Sequence, residues 1–188
     1  MNKRVYNLFK NEVKRSVKLK NFWYIHDAIE KNYNELLPET IADCIIKFDK
    51  RNIFYHRTID IMVRFYGIDR ASESINRMVH EAVKVDETGE MCYQIAYSKQ
   101  YVNIEELQNI VIEKDKTGQW CYYFAKNVPN ANIKKLQNAV IEKDRDSYWC
   151  YMFARNIRNA DIEKLQNAVI EKDQDGKWCY YFAMYVPN

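Results

Sequence analysis

The chain has 188 residues, is 47% hydrophobic and carries a net charge of +3, enough material for one or two compact units with a real core. A stretch of about 20 apolar residues, which a membrane-spanning helix needs, occurs nowhere, and the basic opening MNKRVYNLFK is followed by no apolar signal core, so a cytoplasmic protein is expected. The charge is unevenly spread, with 16 Lys+Arg against 11 Asp+Glu in residues 1–85 and 13 against 15 in residues 86–188.

Three amphipathic helices are predicted first. Val5, Leu8, Phe9, Val13 and Val17 form one helical stripe. Phe22, Ile25, Ile29, Tyr33 and Leu36 form a second, ended by Pro38, and Ile41, Cys44, Ile45 and Phe48 form a third. On the first helix, Lys10, Lys14 and Lys18 lie at steps of four with Arg15 beside them. That face is a candidate for gripping phosphates, although a lysine row is more often a solvated face.

From residue 86 the chain repeats itself. Aligning on Trp-Cys gives units at 86–114, 115–143 and 144–172 and a half unit at 173–188, each opening with an aspartate, and the second and third match at 19 of 29 positions. Residues 57–85 fit the same register in degenerate form, Met62 falling under Met91 and Trp120 and Gly67 under Ala96. A fixed period of this size marks stacked supersecondary units that cannot bury their apolar faces alone. The expected fold is therefore all-α, with a helical cap at 1–56 followed by a helix-pair solenoid at 57–188.

Within a unit, QWCYYFAKNV reads as a short first helix capped by Asp115 or Thr117 and ended by Pro129. NIKKLQNAVIEK reads as the second, with Asn132 as its cap, and Asn103 with Glu106 has capping-box spacing. The indoles Trp120, Trp149 and Trp178 fall on the apolar stripe and are expected between the layers.

Tyr93, Tyr122, Tyr151 and Tyr180 hold one slot in every copy, with Lys99, Lys126 and Arg155 near the end of the same helix. Tyrosine beside a cation is common at protein interfaces and on single-stranded nucleic acid, so this row is the candidate partner-binding face. Packing of the same tyrosines between neighbouring helices is the structural alternative. Gln108, Gln137 and Gln166 form a polar ladder, more readily explained by hydrogen bonds between layers than by a partner. The helix around Trp178, Phe182 and Val186 lacks its usual cover, which points to a homodimer or a docked partner there.

Cys92, Cys121, Cys150 and Cys179 recur every 29 residues and Cys44 stands apart, with no CxxC pair, so reduced thiols are expected. No metal-ligand spacing, Gly-rich phosphate loop, HExxH or GxSxG occurs, and His26, His56 and His80 are scattered. No enzyme and no cofactor are expected.

The phrases WCYYFAKNVPNANIKKLQNAVIEKD and WCYMFARNIRNADIEKLQNAVIEKD resemble short α-helical tandem repeats found in arrays in uncharacterised bacterial and bacteriophage proteins. The likeness covers residues 86–188, extends faintly to 57–85 and does not reach 1–56. It implies a helix-pair array in a phage or prophage setting and brings no catalytic residues. The resulting expectation is a non-catalytic protein-binding scaffold, with an inhibitor of a host defence complex, such as an anti-CRISPR protein, as one form of it. The alternative is RNA or single-stranded DNA binding through the basic first helix and the Tyr/Lys row.

Overall fold

The computed structural model describes residues 3–49, 54–98 and 102–186, and these form twelve helices with no strand. They fall into two compact units that divide between Val85 and Asp86.

The first unit contains α1 (Lys3–Leu19), α2 (Trp23–Asn32), α3 (Pro38–Phe48), α4 (Tyr55–Tyr66) and α5 (Ile68–Val85). α1 packs on α2 and α3, α2 on α4, and α5 covers α3 and α4. Val5, Phe9 and Val13, spaced by four, are buried in the core with Ile25, Ile29, Ile41, Ile45 and Met78, while Leu8 faces out. Pro38 opens α3 at its first turn, where its missing N–H is not needed, instead of closing α2, which has already ended at Asn32. Gly67, at φ 75°, turns the chain from α4 into α5. The α4–α5 pair, which the 29-residue register counts with the array, thus packs among the N-terminal helices.

The second unit alternates first helices α6 (Glu90–Ser98), α8 (Gln119–Asn127), α10 (Tyr148–Asn156) and α12 (Lys177–Tyr185) with second helices α7 (Ile104–Lys114), α9 (Ile133–Lys143) and α11 (Ile162–Lys172). α6, α8 and α10 each pack on the second helix of their own repeat, and α8, α10 and α12 each pack on the first and second helices of the repeat before. This is an α-helical repeat stack.

The aspartate that opens each repeat organises the turn. One oxygen of Asp115 accepts from the backbone N–H groups of Thr117 (3.0 Å) and Gly118 (3.0 Å), and the other from the Cys121 N–H (2.9 Å) at the start of α8. Asp86 repeats this with Thr88, Gly89 and Cys92. Asp144 and Asp173 bind the N–H of Cys150 and Cys179 in the same way. A carboxylate at a helix N-terminus satisfies donors the helix cannot use and meets the positive end of its dipole.

Gly118 stands at φ 87° with the Cα of Val140 only 3.3 Å from where a side chain would begin. Ser147 takes the same slot in the next repeat at φ 69°, and its hydroxyl donates to the Val169 carbonyl (3.3 Å). Second helices are capped as the sequence predicts: Asn103, Asn132 and Asp161 side chains accept from the N–H three residues on, in Glu106, Lys135 and Lys164.

All five cysteines are free thiols, four of them buried. Burial, reinforced by the Asp86 carboxylate, pushes the Cys92 thiol up to about 12. The same causes raise Cys121 beside Asp115 and Cys150 beside Asp144. These thiols are packing groups with no thiolate character.

Candidate functional site

The first helices are joined by an aromatic zipper. Tyr93 stacks on Trp120 with centroids 5.7 Å apart, Tyr122 meets Trp149 at 5.4 Å, and Tyr151 stacks on Trp178 at 5.7 Å. Each tyrosine therefore reaches across a repeat boundary to the next repeat's indole. Tyr123, Tyr148 and Tyr181 close the flanks of the same column. Offset and tilted pairs of this kind contribute about 0.5–1.5 kcal/mol each beyond the area they bury.

This zipper exchanges the roles expected of the two aromatics. Tyr122 and Tyr151 are 1% and 4% exposed, whereas Trp120, Trp149 and Trp178 are only half-buried. The tyrosine, about 100° round the helix from the core cysteine, faces the following repeat. The indole sits in the first turn and lies over that tyrosine from the loop side. Phenol hydroxyls that would be stranded find partners: Lys126 donates to Tyr122 (3.3 Å), Arg155 to Tyr151 (2.9 Å) and Asn127 to Tyr93 (2.8 Å). Lys126 and Arg155 thus serve tyrosines of their own helices.

Of the proposed partner-binding row, Tyr122 and Tyr151 are closed to a partner by burial, Tyr93 is half-buried and Tyr180 is open. Lys99 lies outside the described residues.

Two clefts lie along the loop edge of the stack. The first, about 380 Å³, is lined by Lys116, Lys143, Arg145, Asp146 and the Trp149 indole, among others. The second, about 430 Å³, is lined by Arg145, Asp146, Lys172, Asp175 and Trp178 with their neighbours. Adding 29 to every residue that lines the first gives a residue that lines the second, with Gln174 standing where the first has Arg145 and Lys177 in addition, so the two are the same cleft in successive repeats. Arg145 and Asp146 belong to both. The sequence pattern alone does not single out these residues, because the apolar stripe places Trp149 and Trp178 in the core. The signal that would have found them is the recurrence of a cation and an acid beside each indole.

The glutamine ladder bonds internally. Gln108 accepts from the Asn132 N–H (2.7 Å), and Gln137 binds both the N–H (2.8 Å) and the carbonyl (3.2 Å) of Asp161. Asn132 and Asp161 are the N-caps of the next second helices, so each buried glutamine clips one helix start to the layer behind it. Gln166, the third rung, is exposed and lines a groove between α11 and α12. Phe182 and Val186, proposed to be open for dimerisation, are buried, and Trp178 is half-buried under Tyr151. The open apolar groups there are Ile170, Tyr180, Met184 and Tyr185.

In the first unit, the Lys10 and Lys14 ammonium groups stand 5.9 and 5.0 Å from the Phe48 ring centre. Arg15 lies 4.1 Å over Tyr24 and pairs with Glu12 at 3.8 Å, and Lys18 is exposed. Three of the four candidate phosphate-binding cations are therefore engaged within their own unit.

Among the described residues no group of three or more His, Cys, Asp or Glu side chains is placed to hold a metal ion, and no helix is long and apolar enough to cross a membrane. Comparison with protein-family models, with curated proteins and with solved structures finds no match.

Proposed function

We propose that the repeat stack is a non-catalytic protein-binding scaffold that takes an extended polypeptide segment along its loop edge. The observation that carries this reading is the recurrence of one cleft, with an indole wall and mixed charge, at the repeat offset. Helix layers lie roughly 8–10 Å apart, and an extended chain rises about 3.3 Å per residue, so every third residue of a bound segment reaches a cleft. Apolar side chains would lie on Trp149 and Trp178, and charged ones would pair with Arg145, Lys116 and Asp146. The scaffold is already ordered, so little conformational entropy is lost on its side.

Mixed charge favours a polypeptide over a nucleic acid. Asp146 and Asp175 stand in the clefts and would repel phosphates, whose binding is built on neutralisation by cations. A scaffold of this kind acts by occupying its partner's surface, which is how an inhibitor of a host defence complex would work.

Affinity capture from the native host, with and without nuclease, tests the reading. Arg145→Glu alters both clefts at an exposed position, and is expected to abolish capture of the specific partner while the helical circular dichroism is unchanged. Undiminished capture by that variant would overturn the proposal. Capture that nuclease removes, with affinity falling steeply in salt, would transfer the function to nucleic acid.

A further inference from the structure

The two loop-edge clefts share a frame but not a charge. The turns that open the four repeats read DETG, DKTG, DRDS and DQDG. A cation stands second in the two middle turns only, as Lys116 and Arg145, and both line the first cleft, which lies between the second and third repeats, inside the array. The third turn position is Thr88 and Thr117 in the first two repeats and Asp146 and Asp175 in the last two. Its structural task is the same in all four: the side-chain oxygen accepts from the backbone N–H two residues on, in Glu90 (3.2 Å), Gln119 (3.3 Å), Tyr148 (3.2 Å) and Lys177 (3.0 Å). A hydroxyl and a carboxylate both serve this turn, so the fold leaves the charge at this position open.

The lysine that ends each second helix divides the repeats further. Lys114 and Lys172 donate to the carbonyls of Asp86 and Asp144, the aspartates heading their own repeats. The Lys143 ammonium makes no hydrogen bond among the described residues and lines the first cleft, half-buried. With exposed Lys116 and Arg145 it brings the cations of that cleft to three. Of the two carboxylates there, Asp144 is 2% exposed and accepts from the Cys150 (2.7 Å) and Asp146 (3.4 Å) N–H groups, and Asp146 holds the Tyr148 N–H. The second cleft has as many carboxylates, Asp146, Asp173 and Asp175, as cations. One of those cations, Lys172, is held by the Asp144 and Ile141 carbonyls, and another, Lys177, lies 4.4 Å from the Trp178 ring centre.

We propose, on the loop-edge reading of the stack, that the first cleft receives the carboxylate of one Asp or Glu side chain of the bound polypeptide. Lys143, Lys116 and Arg145 hold the carboxylate, and its methylenes lie against the Trp149 indole. Three cations against two carboxylates leave one positive charge to be met, which a carboxylate supplies and a phosphate dianion exceeds. Half-buried Lys143 is screened less than a surface ammonium and carries most of the attraction, whereas an exposed pair to Lys116 adds little. The second cleft, balanced in charge, takes an uncharged side chain about three residues along the segment.

The probe is a displayed library of random dodecapeptides, selected on the full chain. Enriched sequences are expected to carry Asp or Glu at one fixed position and an apolar residue about three positions away. Lys143→Gln is expected to weaken a selected peptide about tenfold, the effect of one charge-assisted hydrogen bond, and Lys116→Gln about twofold. Thr117→Asp, an exchange the chain itself makes at Asp146, keeps the turn. It is expected to weaken the acidic peptides about tenfold and to shift a fresh selection toward Lys or Arg, with the helical circular dichroism unchanged. Enrichment without an acidic position, lost on Arg145→Glu, overturns this proposal and leaves the loop-edge reading standing. An acidic position whose peptides bind Lys143→Gln and Thr117→Asp undiminished does the same. No enrichment at all overturns both.

Discussion

Residues 3–85 and residues 86–186 are both built from short helices on an aliphatic core, yet they solve the problem of helix ends differently. In the first unit, the N-cap residues of α2, α3 and α4 are Phe22, Leu37 and Phe54, whose own side chains make no capping bond, although Asn21 accepts from the Trp23 N–H and Asp49 from the Phe54 N–H, and among the described residues the buried hydroxyls of Ser16 and Thr58 have no hydrogen-bond partner. In the second, second helices begin under Asn103, Asn132 or Asp161, and the aspartate heading each repeat binds the first-helix cysteine N–H. The lesson is about how stability is distributed. A core whose helix starts are met one by one by different side chains leans on side-chain volume, whereas a repeated capped turn fixes each helix start in the same way and lets one solution be copied.

The comparison breaks most visibly at the zipper. Tyr122→Ala removes the largest of the fully buried side chains, its stack on Trp149 and its bond from Lys126. It is expected to destabilise the stack by about 3–5 kcal/mol, the range for deleting a large core aromatic. Hydrogen exchange should register this as lost protection through α8 to α11 with α1 to α5 unchanged. Loss spread evenly over both units would show that the two are not separately held.

Next in size is the turn carboxylate. Asp115→Ala leaves the N–H groups of Thr117, Gly118 and Cys121 without their acceptor in a covered loop, for an expected loss of about 3 kcal/mol in denaturant unfolding. Asp115→Asn, which keeps one acceptor oxygen, is expected to lose roughly half as much.

The thiols give a pH-dependent version of the same contrast. Burial raises Cys92, Cys121 and Cys150 above the ordinary thiol value. A raised acid favours the folded state while it stays protonated, so this contribution is whole below the ordinary thiol value and drains away as pH climbs toward about 12, the value for Cys92. Alkaline titration is expected to unfold the stack across that window, with Cys121→Ala moving the midpoint upward. In native protein at neutral pH, Cys179 should be alkylated before the other three, because it alone of the four is not buried.

The scaffold was legible because period, caps and breakers are local signals. The 29-residue beat, the Asn132 cap and the Gln108–Gln137 ladder each follow from spacing plus the need to satisfy backbone groups. What spacing could not decide was which of two adjacent aromatics turns inward. Trp120 and Tyr122 sit on flanks of one helix, and the choice depends on what the next repeat offers: an indole for Tyr122 to lie against and Lys126 for its hydroxyl. The loop-edge clefts stayed hidden for the same reason, since they exist only when two repeats are laid side by side. The compact boundary at Val85 was equally invisible, because residues 57–85 keep the register while α5 turns its stripe toward α3.

The smallest effect separates the caps from the layers they join. Asn132→Ala removes the bond to the Lys135 N–H, while the Asn132 backbone N–H still donates to Gln108. The expected loss is about 1 kcal/mol, as for other N-caps. Gln108→Ala removes the complementary half: the cap survives, and the partly covered Asn132 N–H loses its acceptor. If both variants lose similar stability and the double variant loses their sum, cap and clip are independent devices. A double variant that loses clearly less than the sum would mean that the glutamine holds the helix start only when the asparagine has already shaped it.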